Sequence, residues 1–398
     1  MLFQRDDIDV ALEVPGLLDA AAARTGLGDF GDAAFLEPLE ILVGSLKKDA
    51  WTRISPTARR RIGPALVAFL ENRLRIVADR AKFPAVRDVA LKPAFFVTGC
   101  GRSGTTLLQT LLAEDPENAG IQIWEFTHPS PPPGLAPVTD ARLAESAADM
   151  EKFLDALPEI RIQHQYYVED GTSALAECGH ALFPAFTNIH FWYYYPVSGY
   201  LEWLLTADHR PALAFHHSFL QHLQAGRDGV RWSLKAPEYL LMLDALVHEY
   251  PDANIIWGHR DVPDLVSSLC SSFTACRSIG APVTPESRLA WGREIVETQR
   301  RVFDRGIELR ERLGEDRFLD VSYSGLMRDP IGTIRMIYHR FGLELSDAAA
   351  RSIRAWIDAN PQAKHGAHRH RPEDFGFEAA TLNREFSNYR ERFADYLR

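Results

Sequence analysis

The chain has little of what several function classes require. Its 398 residues include four cysteines, Cys100, Cys178, Cys270 and Cys276, none paired at the spacing of a metal knuckle. That excludes a disulfide scaffold and a zinc ribbon and suits a reducing compartment. No apolar run approaches the length of a membrane span. Lysine and arginine total 44 against 54 acidic residues, a net charge of −10, so a general nucleic-acid binder is excluded. The segment from Met1 to Val10 is acidic and has no apolar h-region, so a cytoplasmic protein without a secretory signal is expected. Internal repeats and low-complexity tracts are also missing. What is present is a 46% apolar composition, enough to bury a substantial core in one large domain or two.

A further shortage lies inside the most informative segment, Pro93 to Leu108. An apolar strand leads into a glycine-rich turn and then an amphipathic helix. Gly99 and Gly104 have the spacing of a phosphate-binding P-loop, but Thr105 stands where the lysine of that motif belongs. A cation occurs within the loop instead, as Arg102. Amides at a helix N-terminus still bind phosphate oxygens, because their donors are unpaired and the helix dipole favours an anion. The displaced cation implies a different group at the end of the phosphate chain.

The loop Gly101-Arg102-Ser103-Gly104-Thr105-Thr106 resembles the 5′-phosphosulfate loop of the sulfotransferases that use 3′-phosphoadenosine-5′-phosphosulfate (PAPS). It is most like that of the tyrosylprotein sulfotransferases and of bacterial enzymes with an Arg-Ser-Gly-Thr-Thr loop. A second motif is independent of the first. The run Ala253 to Trp257 reads as a buried strand, followed by Gly258-His259-Arg260-Asp261 and a helix opening at Pro263. Ligands of open α/β sheets sit beyond the carboxyl ends of strands, where Arg260 falls. Ser268 follows eight residues later, slightly more than two helical turns, so arginine and hydroxyl can clamp one phosphate. Sulfotransferases use this spacing for the donor's 3′-phosphate. No carboxylate precedes Arg260, and Asp261 suits a helix cap better than a magnesium ligand. The pattern favours sulfuryl over phosphoryl transfer, with no metal required.

The resemblance implies further roles. Glu125, in Ile123-Trp124-Glu125-Phe126-Thr127-His128, takes the place of the catalytic glutamate of the tyrosylprotein-type enzymes and is expected to be the general base. His128 is its competitor, since imidazole suits proton transfer near neutral pH. Lys235 ends the strand that starts near Val230 and is expected to stabilise charge at the transferring or leaving group, together with Arg102. Tyr323 takes the position of a tyrosine that contacts adenine, although Ser324 replaces the usual acidic neighbour. Ser322 is a further candidate near the sulfuryl group. The tail Lys364 to Arg371, dense in imidazoles, is expected to be a mobile cap over the donor phosphates or a solvated turn.

The expected fold is α/β: a P-loop-type parallel sheet flanked by helices, with a helical N-terminal region and a helical C-terminal tail. Residues 1–92 form the helical region, 93–345 the α/β core, and 346–398 a cap and helix packed on it. Strands are expected near 94–98, 230–234, 253–257 and 317–321, and helices near 105–114, 238–249, 262–276, 330–341 and 381–396. The aromatic-rich stretch from Phe183 to Leu205 reads as core or as an aromatic wall for an apolar acceptor. Together these features predict a PAPS-dependent sulfotransferase of bacterial type, releasing 3′-phosphoadenosine 5′-phosphate. The acceptor is a small-molecule, lipid or glycan hydroxyl or amine, and the N-terminal helices are a candidate homo-oligomer contact. The rivals are a P-loop kinase-like phosphotransferase, betrayed by a need for magnesium and ATP, and a non-catalytic nucleotide-binding protein on the same fold.

Overall fold

The computed structural model describes residues 10–164, 166–227, 229–361 and 370–397. The chain divides into two compact units, each assembled from separate stretches of sequence. One, the helical unit, comprises Met1–Leu91, Gln122–Asp228 and Ala275–Pro282. The other, the sheet unit, comprises Lys92–Ile121, Gly229–Thr274 and Val283–Arg398.

The sheet unit is a five-stranded parallel sheet flanked by helices. Its strands are β1 (Phe95–Gly99), β2 (Asn118–Ala119), β3 (Arg231–Lys235), β4 (Asn254–His259) and β5 (Phe318–Ser322), in the spatial order β2-β3-β1-β4-β5. The central β1 is buried along its whole length, as expected for a parallel strand covered on both faces. Val97 sits beside Lys235 on one side and Ile256 on the other. Helix Thr105–Ala113 contributes Leu108, Leu111 and Leu112, at helical spacing, to a core shared with Phe95, Ile256 and Ile334. Because every pairing is parallel, the carboxyl ends of β1, β3, β4 and β5 emerge along one edge. Gly99, Lys235, His259 and Ser322 end those strands.

Four of the strands fall within a residue or two of the sequence expectation. The two-residue β2 carries too little pattern to be read. The expected helix 238–249 is a 3₁₀ turn, Pro237–Leu241, followed by helix Leu243–Glu249, because Pro237 opens a tighter first turn. The expected closing helix is broken into Ala379–Glu385, Ser387–Arg392 and a 3₁₀ turn, Ala394–Tyr396. Its aromatics are buried all the same: Tyr389 stacks on Phe303, ring centroids 4.0 Å apart, and bonds His259 through its hydroxyl. Phe303 lies on Pro285–Leu313, a 29-residue helix for which the sequence reading has no counterpart.

The helical unit is organised by helix Pro56–Lys82. Three consecutive polar residues in its middle are buried yet satisfied. Glu71 pairs with Arg24 at 2.6 Å and Arg75 at 3.1 Å. Asn72 donates to the carbonyl of Thr127 at 3.0 Å, and Arg73 donates to the carbonyls of Phe30, Asp32 and Pro184. Buried polar groups persist only when their hydrogen bonds are made, so these side chains fix where the partner loops run. The aromatic stretch is packed in the same unit: Phe183 stacks on Phe69 at 4.6 Å, and Trp192, Phe191 and Tyr200 are buried. Among the described residues no helix is long and apolar enough to cross a membrane.

Candidate active site

The glycine-rich turn between β1 and helix Thr105–Ala113 is tight and has the form of an anion cradle. Gly99 has φ +127°, and a Cβ there would lie 2.5 Å from the carbonyl oxygen of Gly258 on the adjacent strand. Only glycine fits both the conformation and the space. Gly104 has φ +84°, with the Tyr323 ring and Leu326 where a side chain would go. Arg102 adopts φ +75°, an unfavourable region for a residue with a Cβ. The turn is locked from within, since the Ser103 hydroxyl donates to the Cys100 carbonyl at 2.7 Å. The first intrahelical bond runs from the Leu108 amide to the Gly104 carbonyl. The amides of Thr105, Thr106 and Leu107 therefore precede the helical ladder, oriented for an anion.

Three residues from distant parts of the sequence join this cradle within the sheet unit. Arg102 Nε donates to Ser268 Oγ at 3.1 Å, and Arg260 Nη1 donates to the Arg102 carbonyl at 3.1 Å. The Arg260 guanidinium also lies 4.5 Å from the centre of the Tyr323 ring. Ser268 is buried on helix Val262–Arg277, and Arg260 directly follows β4, the strand beside β1. Loop, arginine, hydroxyl and tyrosine thus form one connected cluster. Asp261 starts the helix through its carbonyl, which accepts the Leu265 amide at 2.9 Å. Burial and the neighbouring Asp264 raise its carboxyl above the usual range.

Lys235 is buried at the end of β3, in register with Val97. The next residue continues the pairing: the Ala236 amide bonds the Val97 carbonyl at 3.1 Å, and Thr98 Oγ1 donates to the Ala236 carbonyl at 3.0 Å. These bonds hold Lys235 at the strand edge from which the glycine turn departs. Ser322 caps helix Tyr323–Arg328, accepting from the Gly325 amide at 3.3 Å and bonding Ser324 Oγ at 2.9 Å. Cys100 is buried, and burial pushes its thiol above the usual range.

Glu125 belongs to the helical unit. It is buried as the third residue of the short helix Ile123–Thr127, and its carboxylate accepts the Gln122 amide at 2.8 Å. Arg227 pairs with it at 2.6 Å. That partner has no local signal in the sequence, since it follows a glycine in an ordinary turn. Arg142, which also interacts electrostatically with Glu125, donates to the carbonyls of His128 and Pro131 at 2.6 and 2.9 Å. Burial lowers its guanidinium to about 10 while Glu125 and Asp79 hold it up. His128, the rival base, sits 3.6 Å from Glu145 and 3.8 Å from Asp149. Of the tail cluster, Lys364 and the residues up to 369 lie outside the described residues; the Arg371 amide bonds Asp374 Oδ2 at 3.0 Å.

A sequence profile described as "Sulfotransferase family" matches residues 93–347, well over half of the chain. The chain belongs to the sulfotransferase family. The matched segment runs from two residues before β1 to the start of helix Asp347–Ala359. Two solved structures resemble this sulfotransferase over nearly their full length. Sulfotransferase STF9 from Mycobacterium avium is 26% identical with a TM-score of 0.86, the alignment covering 97% of this chain and 98% of that one. Sulfotransferase STF1 from Mycobacterium tuberculosis H37Rv is 27% identical with a TM-score of 0.77, covering 96% and 100%. Among curated proteins the sequence has no match.

Proposed function

We propose that this sulfotransferase moves the sulfuryl group of PAPS to a hydroxyl or amine of a small-molecule, lipid or glycan acceptor. The observation that carries the reading is the connected cluster at the carboxyl ends of β1 and β4. The glycine cradle, Arg102, Ser268 and Arg260 offer two sets of anion donors joined by hydrogen bonds. A nucleotide with phosphates at both its 5′ and 3′ positions matches such a pair, whereas ATP has charge on one side of its ribose only.

In this reading the amides of residues 101–106 and the Arg102 guanidinium bind the 5′-phosphosulfate, and Arg260 with Ser268 binds the 3′-phosphate. Tyr323 offers a ring face to adenine. Lys235 supplies positive charge where the bridging oxygen gains electrons as the S–O bond breaks, the place at which electrostatic stabilisation lowers the barrier. Glu125, assigned by its resemblance to the tyrosylprotein-type base, takes the acceptor's proton as the new S–O bond (S–N for an amine) forms. To do so its carboxylate must exchange the Arg227 contact for the acceptor.

Calorimetric titration with 3′-phosphoadenosine 5′-phosphate, run beside ATP with and without magnesium, tests the donor assignment. Tight, magnesium-independent binding of the bisphosphate over ATP is expected. Preference for magnesium-ATP would instead favour phosphoryl transfer. Transfer of labelled sulfate to a panel of hydroxyl and amine acceptors then tests turnover, and binding without transfer to any of them would favour a non-catalytic nucleotide-binding protein.

A further inference from the structure

The helical unit holds a polar cluster for which sulfuryl transfer has no use. Glu177, His180 and His190 direct one potential ligand atom each into the same space, all within 4.8 Å of one another. The local fold explains the meeting. Glu177 immediately precedes the 3₁₀ turn Cys178–Ala185, and residues three apart eclipse one another in such a turn, so His180 falls on the same side. His190 opens the next helix, His190–Tyr194. Both imidazoles are buried, and their rings meet edge to face with centroids 5.1 Å apart.

Hydrogen bonding behind His190 settles which ring nitrogen faces the cluster. Asn188 Nδ2 donates to the Gly179 carbonyl at 2.7 Å, which leaves Oδ1 to accept the His190 amide, also at 2.7 Å. That same Oδ1 lies 2.9 Å from His190 Nδ1, so Nδ1 carries a proton. His190 Nε2 then faces Glu177 Oε2, 3.5 Å away. His180 brings a third potential ligand atom to the same point. A buried imidazole oriented by an amide carbonyl from behind is the usual support of a metal-bound histidine.

We propose that Glu177, His180 and His190 bind one divalent transition-metal cation of the zinc type. Two imidazoles and one carboxylate suit zinc, whereas magnesium and calcium call for oxygen ligands. Ligand atoms about 2.0–2.1 Å from a tetrahedral ion stand roughly 3.4 Å apart. The Glu177–His190 pair is already at that separation, and small side-chain rotations bring in His180. The site is independent of the sulfuryl reading, and its occupancy can be read without donor or acceptor.

The test uses tag-free, full-length, chelator-stripped protein in which His365, His368 and His370 are replaced by alanine, so that tail imidazoles do not compete for metal. Zinc is titrated against a chromophoric chelator, cobalt(II) is used as an absorption probe, and melting is followed with and without zinc. The expected result is one equivalent bound, tetrahedral cobalt bands, and a zinc-dependent rise in Tm. Glu177→Gln, which keeps the side chain's size, should weaken zinc binding about tenfold or more and abolish the Tm rise. His180→Ala should act likewise. No zinc binding by the parent protein would overturn the proposal, as would Glu177→Gln or a folded His180→Ala protein binding as tightly as the parent. Should His180→Ala fail to fold, the parent titration and Glu177→Gln still decide.

Discussion

The surroundings of Arg102 and those of Glu125 solve opposite problems. Around Arg102 the backbone does most of the work: glycines at positive φ, amides ahead of a helix, and an arginine held in the left-handed region. The arginines there bond a hydroxyl and a carbonyl, those of Ser268 and Arg102. Arg260 also lies 3.7 Å from the mostly exposed Asp264. Around Glu125 the side chains do the work, with a buried carboxylate answered by Arg227 at 2.6 Å. The first arrangement offers a ligand backbone amides beside two guanidinium groups, whereas the second pairs its charge within the protein. Donor binding should therefore be robust and preorganised, and proton abstraction should require the helical unit to release an ion pair.

The largest effects should come from the two residues assigned to bond changes. Glu125→Gln keeps the size of the side chain and removes the base, so kcat should fall on the order of 10²–10⁴-fold. Lys235→Ala should lower kcat about 10²–10³-fold and raise KM little, as loss of a transition-state contact does. In both variants affinity for 3′-phosphoadenosine 5′-phosphate, measured by calorimetry, should stay within a few-fold of wild type. Near wild-type turnover in Glu125→Gln, with His128→Ala inactive, would move the base to His128.

Next in size are the donor contacts. Charge-assisted hydrogen bonds contribute roughly 1.5–3 kcal/mol each, so Arg260→Ala should weaken bisphosphate binding about 10–100-fold. Ser268→Ala should weaken it less. Both should change affinity for adenosine 5′-phosphate, which lacks the 3′ group, much less, since their bonds to Arg102 only position the 5′ loop. Equal losses for both nucleotides would place Arg260 on some other part of the donor. The cradle itself can be broken through its backbone. Gly99→Ala puts a Cβ 2.5 Å from the Gly258 carbonyl at a positive φ, so stability should fall by about 1–3 kcal/mol in a denaturant titration.

The same contrast explains what the sequence discloses. The cradle is contiguous, and strand, turn and helix follow one another between Phe95 and Ala113, so local chemistry reveals it. Arg260 and Ser268 are separated by a helical interval and are legible for the same reason. Arg227 meets Glu125 only through tertiary packing, and no local pattern in the turn marks it. The helix Pro285–Leu313 is hard to read because Gly292, Thr298, Gln299 and Gly306 share its buried stripe with the apolar residues. Glu177 and His180 lie just before, and His190 within, the aromatic-rich stretch, whose density draws the eye to core packing.

Acid should sharpen the comparison by its smallest effect. In the helical unit, burial, with Arg142 and Arg80 nearby, pulls the His222 imidazole down to about 4, and its Nε2 bonds the Pro129 carbonyl at 3.0 Å. In the sheet unit burial also lowers His259, but Asp320, at 2.8 Å, works in the other direction. A histidine held below its unfolded value near 6.5 stays neutral in the folded state while the unfolded chain takes up a proton. Stability from His222 is therefore complete above about pH 6.5 and is lost as pH falls toward about 4. At pH 6 the loss amounts to roughly 1 kcal/mol. His222→Gln, which can still donate to Pro129, should flatten the decline in stability between those limits by one proton's worth. Asp320 behaves differently: His259 and Arg310 hold its carboxyl down at about 2 against burial, so its contribution persists until pH falls below about 4. If urea titrations across this range gave the same slope for His222→Gln and wild type, His222 would not be the neutral buried group that its contacts make it.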